Sequence, residues 1–370
     1  MKVVKLKDIC TKGSSSLKQK DVQNGNGQYP VYGAGGIAGY IDSYHQEKEY
    51  IGIVKDGSGI GRVMFLPPKS SVIGTLQYIL PKPGYDINYI GYCLKSLDLA
   101  SHKQGAAIPH IYFRDYGEKL VNVEESLDEQ RKIVARLNAT FERIDKMQSN
   151  AETALEEARG VLAQIIRNSF IPSNNWDEKS VGELSTDIRY GTSKPSCENG
   201  KYKYLRMNNI TSDGHLTLKD TKTISLEGAE YEKAVVRKGD ILFNRTNSLE
   251  HVGKTCLFDQ DEEMIIAGYL IRVRLNEEVI PEYLTYYLNC DTTKTTLRKL
   301  AIGAVHQANI SASSLKKVMI KYPKSKVEQE QIVAQIKEIE GRIRVLKCNL
   351  DTITEKCNSL KQAILKETFE

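Results

Sequence analysis

Apolar side chains recur at steps of three and four in two separate stretches of the chain, with mostly charged and amide side chains between them. This spacing aligns the apolar residues in one stripe along an α-helix, and a stripe sustained over several heptads is typical of a coiled coil. Neither stretch contains proline, so we predict two helices of about 40 residues, or roughly 60 Å at 1.5 Å per residue. The predicted seam consists of Leu137, Phe141, Ile144, Leu155 and Leu162, followed by Ile336, Ile339, Ile343, Leu346, Leu350, Ile353 and Leu360.

The two helical stretches also begin alike. The sequence is EQRKIVARL at 129–137 and EQEQIVAQI at 328–336. YIGYCL and then GAAIPHI precede the first helix, whereas YLTYYL and then GAVHQANI precede the second. An internal repeat of this kind indicates a duplicated unit. The chain therefore consists of a globular segment, a helix, a second globular segment and a second helix.

A long helix with a single apolar stripe needs a partner, which is either a second copy of the chain or the other helix. Antiparallel pairing within the chain is favoured by the high local concentration of the two helices. We therefore predict an α+β fold with two globular domains joined by two long antiparallel coiled-coil helices and related by a pseudo-two-fold axis. The predicted boundaries are 1–124 for domain 1, 125–172 for helix 1, 173–323 for domain 2 and 324–370 for helix 2.

Composition limits the class of protein without giving its function. The seven cysteines among 370 residues show no C-x-x-C spacing, and no Cys/His cluster has zinc-ligand geometry, so we expect reduced thiols and no metal site. No stretch of about 18 apolar residues could cross a membrane, and the N-terminus does not resemble a signal peptide. We expect a soluble, cytoplasmic protein that does not associate with membranes.

No catalytic residue is predicted. The GAGGIA segment at 33–38 nominally fits a dinucleotide-binding fingerprint, but it continues into GYID, which is typical of a strand. The GKT at 253–255 lacks the earlier glycine of a P-loop. The LPPK at 66–69 lacks the flanking residues of an amino-methyltransferase tetrad.

The order of these segments resembles the specificity subunit of type I restriction-modification systems, the HsdS family. The resemblance rests on the two EQ-x-x-IVA helix starts, YPVYGAGGI at 29–37, YLRMNNI at 204–210 and GDILFNRT at 239–246, and it covers essentially the whole chain. It implies that two target recognition domains read the two halves of a bipartite, asymmetric DNA target. The two helices would set the spacer and dock adenine-methyltransferase subunits.

The resemblance also implies a non-catalytic chain that binds no cofactor. S-adenosylmethionine would bind the methyltransferase subunits, of which two are expected, and ATP and Mg would bind the restriction and translocase subunits. This division of labour agrees with the missing catalytic motif, because adenine methylation requires a pocket for a flipped base beside the methyl donor.

Double-stranded DNA is therefore the expected ligand. Arg and Lys suit phosphates and guanine, whereas Asn and Gln suit adenine. The candidates in domain 1 are Lys18, Lys20, Lys55, Arg62, His102, Lys103 and Gln104, and those in domain 2 are Arg189, Tyr190, Lys194, Lys201, Lys203, Arg206, Asn208, Asn209, Arg245, Asn247, His306 and Gln307. The loops near Gly105 and Gly303 are favoured because they occupy matching places in the repeat.

Two alternative functions remain open at this level. A stand-alone DNA-binding regulator would need tight binding by the chain alone, which the small net charge of +5 does not favour. A coiled-coil scaffold for protein interactions would leave the basic and amide-bearing loops unexplained. Neighbouring genes for an adenine methyltransferase and a translocating nuclease would distinguish the main interpretation from both. The target sequence and the spacer length do not follow from the sequence.

Overall fold

The computed structural model describes residues 1–23, 25–105, 109–304 and 307–369. They form two compact units: unit 1 is Met1–Glu152 with Asn349–Glu370, and unit 2 is Thr153–Cys348. The helices are α1 Leu6–Ile9, α2 Gln19–Val22, α3 Ile87–Ser96, α4 Phe113–Tyr116, α5 Leu127–Ser169, α6 Gly228–Ala234, α7 Pro281–Asn289, α8 Asp291–Leu300, α9 Ala312–Lys316 and α10 Lys326–Phe369, with 3-10 turns at Leu99–His102 and Met207–Asn209. Among the described residues, every helix is too short or too polar to span a bilayer.

The strands are β1 Lys2–Lys5, β2 Cys10–Ser14, β3 Tyr29–Gly33, β4 Gly36–Ile41, β5 Tyr50–Val54, β6 Val63–Leu66, β7 Ser71–Val72, β8 Leu76–Pro81, β9 Leu120–Val123, β10 Trp176–Ser180, β11 Ser185–Tyr190, β12 Tyr202–Leu205, β13 Lys222–Ile224, β14 Val235–Val236, β15 Ile241–Asn244, β16 Thr246–Asn247, β17 Thr255–Leu257, β18 Met264–Ile266, β19 Leu270–Leu275, β20 Ile302–Ala304, β21 Gln307–Asn309 and β22 Met319–Pro323. The fold is therefore a mixture of helices and sheets in both units.

The two units repeat one sheet topology. In unit 1 the strands β2, β8, β5 and β6 pair in that order, and in unit 2 the corresponding order is β11, β19, β15 and β17. Every residue of the central strands β5 and β15 is buried. Both sequences are therefore continuous apolar runs, except that β15 ends with the polar Asn244. A second sheet contains β3 between β4 and β7 in unit 1, and β12 between β13 and β18 in unit 2.

The repeated glutamine at the start of each long helix explains why the EQ motif occurs twice. The side chain of Gln130 is fully buried. Its Oε1 accepts a hydrogen bond from the backbone N–H of Asp86 at 2.8 Å. Its Nε2 donates to the carbonyl oxygens of Gly84 at 3.2 Å and Glu124 at 2.7 Å. One amide thus joins α5 to two loops of the sheet domain in unit 1.

The second glutamine makes the same set of contacts in unit 2. Gln329 is also fully buried. Its Oε1 accepts from the N–H of Ile280 at 2.9 Å, and its Nε2 donates to the carbonyls of Glu278 at 2.9 Å and Pro323 at 2.8 Å. Because buried polar groups need partners, this side chain fixes where α10 begins relative to its domain.

Parts of both long helices pack within each unit. In unit 1, Leu137 shares a buried apolar cluster with Leu365 and Phe369. Further along, the Cys357 thiol lies 4.0 Å from the carbonyl oxygen of Ile144. Residue numbers rise along α5 while they fall along α10, so the two helices run antiparallel within unit 1.

The predicted seam is not buried along its whole length. In unit 2, Ile336 is buried in a cluster that includes Leu162 at its edge. Leu346 and Leu360, however, are 42% and 50% exposed, so the prediction was wrong for these two positions. A straight α-helix has 3.6 residues per turn, and a strict repeat of 3.5 drifts away from the packed face by about 20° per heptad.

Two glycines within the long helices are expected to weaken them. A Cβ atom at Gly160 or Gly341 would meet no heavy atom within 4 Å. We expect Gly160→Ala and Gly341→Ala each to raise the free energy of unfolding by roughly 0.5–1 kcal/mol, since alanine loses less backbone entropy in a helix. Urea unfolding measures the change.

Gly191→Ala is the matched control, because its Cβ would lie 2.1 Å from the carbonyl oxygen of Ile266. This variant should be destabilised. Equal effects at Gly191 and the helical glycines would contradict the packing described above.

Candidate nucleic-acid interface

A turn held by backbone hydrogen bonds follows the central strand β5 of unit 1. The N–H of Lys55 donates to the carbonyl of Thr75 at 3.0 Å, and the carbonyl of Lys55 accepts from the N–H of Ile111 at 2.9 Å. Lys55 is therefore fixed at the end of the strand with its side chain half-buried. These bonds bring together three segments that are distant in sequence.

Polar side chains gather around this turn. The Nδ1 atom of His110 lies 2.6 Å from Oδ1 of Asp56, and the Lys55 ammonium lies 3.8 Å from the same carboxylate. The backbones of Gln104 and His110 exchange two hydrogen bonds of 2.8 Å. The side-chain Nε2 of Gln104 donates to Oδ2 of Asp115 at 3.0 Å. Cation, carboxylate, imidazole and amide thus lie within one cluster, with Gln104 exposed at its edge.

Unit 2 contains the same arrangement of backbone hydrogen bonds after the central strand β15. We call this arrangement the frame of each unit. The N–H of Arg245 donates to the carbonyl of Tyr269 at 3.0 Å, and the carbonyl of Arg245 accepts from the N–H of Ile310 at 2.9 Å. β16 pairs with β21, and β21 pairs with β20 in a hairpin that reaches Gln307. The frame places Arg245, Asn247 and Gln307, three predicted candidates, on adjoining segments.

Arg245 supports this hairpin instead of projecting freely. Its guanidinium carbon lies 4.6 Å from the ring centre of Tyr190. Its Nη2 donates to Oδ1 of Asn309 at 3.0 Å, and its Nη1 donates to the carbonyl of Gly268 at 3.4 Å. The hydroxyl of Tyr190 accepts from the N–H of Ala312 at 2.8 Å. We therefore assign Arg245 and Tyr190 to holding the β20–β21 hairpin in place.

Asn209 does not lie on a surface that DNA could reach, so the sequence-based prediction was wrong there. Its side chain is fully buried. The side-chain Oδ1 accepts from the N–H of Arg206 at 2.8 Å, and Nδ2 donates to the carbonyls of Thr217 at 2.9 Å and Lys219 at 3.3 Å. The residue closes a turn, a common role for asparagine that its sequence context did not reveal.

The remaining candidates in unit 1 differ in accessibility. The side chains of Lys18, Lys20, Arg62, Lys103 and Gln104 are exposed. The Nη1 of Arg62 donates to the carbonyl of Ala34 at 2.9 Å, which links it to the glycine-rich turn at 33–36. His102 is half-buried, and its Nε2 has no hydrogen-bond partner among the described residues.

Several candidates in unit 2 have acidic partners. The Nε of Arg189 lies 2.8 Å from Oδ1 of Asp187. Burial opposes ionisation of Asp187, but hydrogen bonds from Arg272 and Arg189 outweigh it and hold the pKa of Asp187 below its usual value. The Nζ of Lys203 lies 2.6 Å from Oε2 of Glu262. These pairs reduce the positive charge that is available for phosphates.

The other predicted residues of unit 2 are not joined to the hairpin by the contacts described above. Lys194, Lys201 and Asn208 are exposed, and the Lys201 ammonium lies 5.2 Å from the ring centre of Tyr202. Arg206 donates to the carbonyl of Asp220 at 3.0 Å. His306 lies outside the described residues.

Sequence reasoning missed five residues that contact the candidates in these two clusters, Asp56, Thr75, His110, Tyr269 and Asn309. A signal for two of them existed, because aligning GAAIPHI with GAVHQANI by their last residues pairs His110 with Asn309. The positions of Thr75 and Tyr269 depend on hydrogen bonds between distant segments, which no local pattern encodes.

Comparison with known families agrees with the duplicated frame. The family model for the "Type I restriction modification DNA specificity domain" matches residues 1–157 and 173–355. The specificity subunit of the type I restriction enzyme EcoKI from Escherichia coli (strain K12) is 26% identical over 254 residues, which is 67% of this chain and 54% of that protein. The StySPI specificity subunit from Salmonella potsdam is 25% identical over 303 residues, 76% of this chain and 64% of that protein. The chain thus spans about half the length of the first relative.

Solved structures support the fold. A chain from a structure of a type I R-M system matches with a TM-score of 0.73 at 19% identity, covering 99% of this chain and 96% of that one. The HsdS subunit from Thermoanaerobacter tengcongensis matches with a TM-score of 0.55 at 19% identity, covering 99% of this chain and 95% of the other.

Proposed function

Because the chain belongs to the family of type I restriction-modification DNA specificity domains, we propose that it selects the DNA sites at which a type I complex acts. Its two domains read the two halves of a bipartite, asymmetric double-stranded target. The observation that carries this proposal is one backbone frame, present in both units, that displays different side chains.

The difference in side chains supports an asymmetric target. The frame of unit 1 is lined by Lys55, Asp56 and His110. In unit 2 the corresponding Arg245 and Asn309 bond to each other, and the exposed Gln307 lies on the same hairpin. Base edges in the major groove are distinguished by their patterns of donors and acceptors. Equal frames with unequal donors and acceptors would therefore read unequal sequences, one in each half-site.

The two long helices support a fixed spacer. α5 and α10 contain 43 and 44 residues, and each starts with a glutamine that is locked into its own domain. In this proposal the helices pair as an antiparallel coiled coil, relate the domains by a pseudo-two-fold axis and set the number of base pairs between the half-sites. Duplex DNA has the matching two-fold symmetry of its backbone.

The chemistry belongs to other subunits in this proposal. The exposed helix surfaces dock two adenine-methyltransferase subunits, which bind S-adenosylmethionine, and the restriction and translocase subunits bind ATP and Mg. The target adenine has to be extruded from the duplex into the methyltransferase. This chain contributes position and orientation, and it acts with these partners in the cytoplasm.

Selection from a random DNA pool tests the proposal. The chain is co-purified with the adenine-methyltransferase subunit of the same type I system, and bound duplexes are sequenced after several rounds. We expect two different short blocks separated by one fixed gap. Enrichment of a single palindrome would contradict the assignment of one half-site to each domain. Equal enrichment by the chain without any partner would favour a stand-alone DNA-binding regulator.

A further inference from the structure

A four-residue turn occupies the same place in both frames. It is IGTL at residues 73–76 and AGYL at residues 267–270. In each turn the carbonyl of the third residue accepts from the N–H of Lys55 or Arg245 at 3.0 Å. The N–H of the fourth residue donates to the carbonyl of the first, at 3.0 Å in unit 1 and 2.9 Å in unit 2. The glycine N–H donates at 2.7 Å to a carbonyl oxygen in the preceding loop. The acceptor is Leu17 after β2 in unit 1 and Thr192 after β11 in unit 2.

These hydrogen bonds fix the backbone on both sides of the third residue. The following residues, Leu76 and Leu270, are fully buried and anchor the turn in the sheet. Thr75 is exposed, and Tyr269 is 52% exposed. The turn therefore presents one side chain at a defined position next to the cation of each frame.

The surroundings of Thr75 leave room for a ligand. A cavity of about 710 Å³ opens beside it. The glycine-rich turn at 33–38 and the loop at 15–19 form its walls, and Asp56 also lines it. A threonine leaves this space open, and its hydroxyl both donates and accepts hydrogen bonds.

Tyrosine offers different chemistry at the matching position of unit 2. Its ring provides an apolar edge for the methyl group of thymine and a face on which a base can stack. The carbonyl of the neighbouring Gly268 is held by Nη1 of Arg245, so the ring and the hairpin are joined through one arginine. An exposed aromatic side chain on a fixed backbone is well suited to contact with a base.

We propose that Thr75 and Tyr269 are matched specificity-determining residues, each of which contacts a base of the half-site read by its own domain. This inference rests on the proposed function and deepens it. Thr75 reads its base with a hydroxyl at the mouth of the cavity. Tyr269 reads its base through apolar contact or stacking.

Reciprocal substitution tests the proposal. Thr75→Tyr and Tyr269→Thr are made separately, each chain is co-expressed with its methyltransferase, and N6-methyladenine is mapped across the genome. We expect each variant to change the accepted base at one position in one half of the motif, with the other half and the gap unchanged. Methylation of the original target should fall by about tenfold or more, the discrimination that one base contact provides.

Controls separate a reading role from general damage. Thr11→Tyr adds the same ring to an exposed strand position that pairs with Leu80, near the far end of β8, and should leave the motif unchanged. Tyr269→Phe keeps the ring and should retain the preference, whereas loss with this variant would assign the contact to the hydroxyl. If Tyr269→Thr does not co-purify with the methyltransferase, Tyr269→His provides a second change of chemistry.

The outcomes distinguish this inference from the proposed function. A wild-type chain that directs no bipartite motif would overturn the proposed function itself. A clear wild-type motif that stays unchanged in Thr75→Tyr and in the folded Tyr269 variants would leave that function intact and overturn only the reading role of this turn.

Discussion

Replacing Gln329 by alanine is expected to lower the free energy of unfolding by about 3 kcal/mol or more. The substitution leaves the N–H of Ile280 and the carbonyls of Glu278 and Pro323 without the amide that bonds all three. Each buried polar group that loses its partner costs roughly 1–3 kcal/mol. Urea unfolding, followed by circular dichroism, measures the loss. Gln130→Ala should lower the free energy of unfolding by a similar amount through the equivalent contacts in unit 1.

Two further variants sharpen this prediction, one at a nearby position and one at Gln329 itself. Gln331 is exposed in the same helix, so Gln331→Ala should change stability by less than about 0.5 kcal/mol. Gln329→Glu retains an acceptor for the N–H of Ile280 but brings carboxylate oxygen close to two carbonyls, and should be about as harmful as alanine. Equal stability of the Gln329→Ala and Gln331→Ala variants would show that the buried amide does not hold the helix.

The second large effect is expected from lengthening both helices. We consider insertion of seven residues after Asn150 in α5 and after Asn349 in α10, which keeps the heptad phase. Seven residues add about 10 Å at 1.5 Å per residue, or about three base pairs at 3.4 Å each. Methylation at the original gap should fall to background, and any remaining activity should require a gap longer by about three base pairs. Genome-wide methylation mapping gives the gap directly.

The control for the insertions keeps the original length. Asn150 and Asn349 are both exposed, so the double alanine variant should retain the wild-type gap and the wild-type rate. If the lengthened chain still methylated sites with the original gap, the helices would not act as a ruler.

The long helices could be predicted because their periodicity is local. A stripe of apolar residues without proline indicated helices at 125–172 and 324–370, and the structure contains Leu127–Ser169 and Lys326–Phe369. Burial along the seam was harder to predict, because it depends on how far each helix follows its partner. The domain boundaries stay a prediction, since each compact unit takes part of both helices.

The site could be predicted only in part, because the role of several side chains depends on contacts between distant segments. The loops near Gly105 and Gly303 were chosen because they match in the repeat, and the structure places both next to the strand ends at Lys55 and Arg245. The role of Arg245 as a support and the burial of Asn209 depend on contacts with segments that are distant in sequence. Residue type alone does not separate a side chain that reads DNA from one that holds the loop in place.

The most direct test of the central claim is to map N6-methyladenine in cells that lack other adenine methylation and co-express the chain with the methyltransferase subunit of the same type I system. The account predicts a split motif with two different halves, one fixed gap and one methylated adenine on each strand. Methylation at a palindromic motif, or at half-sites separated by variable gaps, would contradict it.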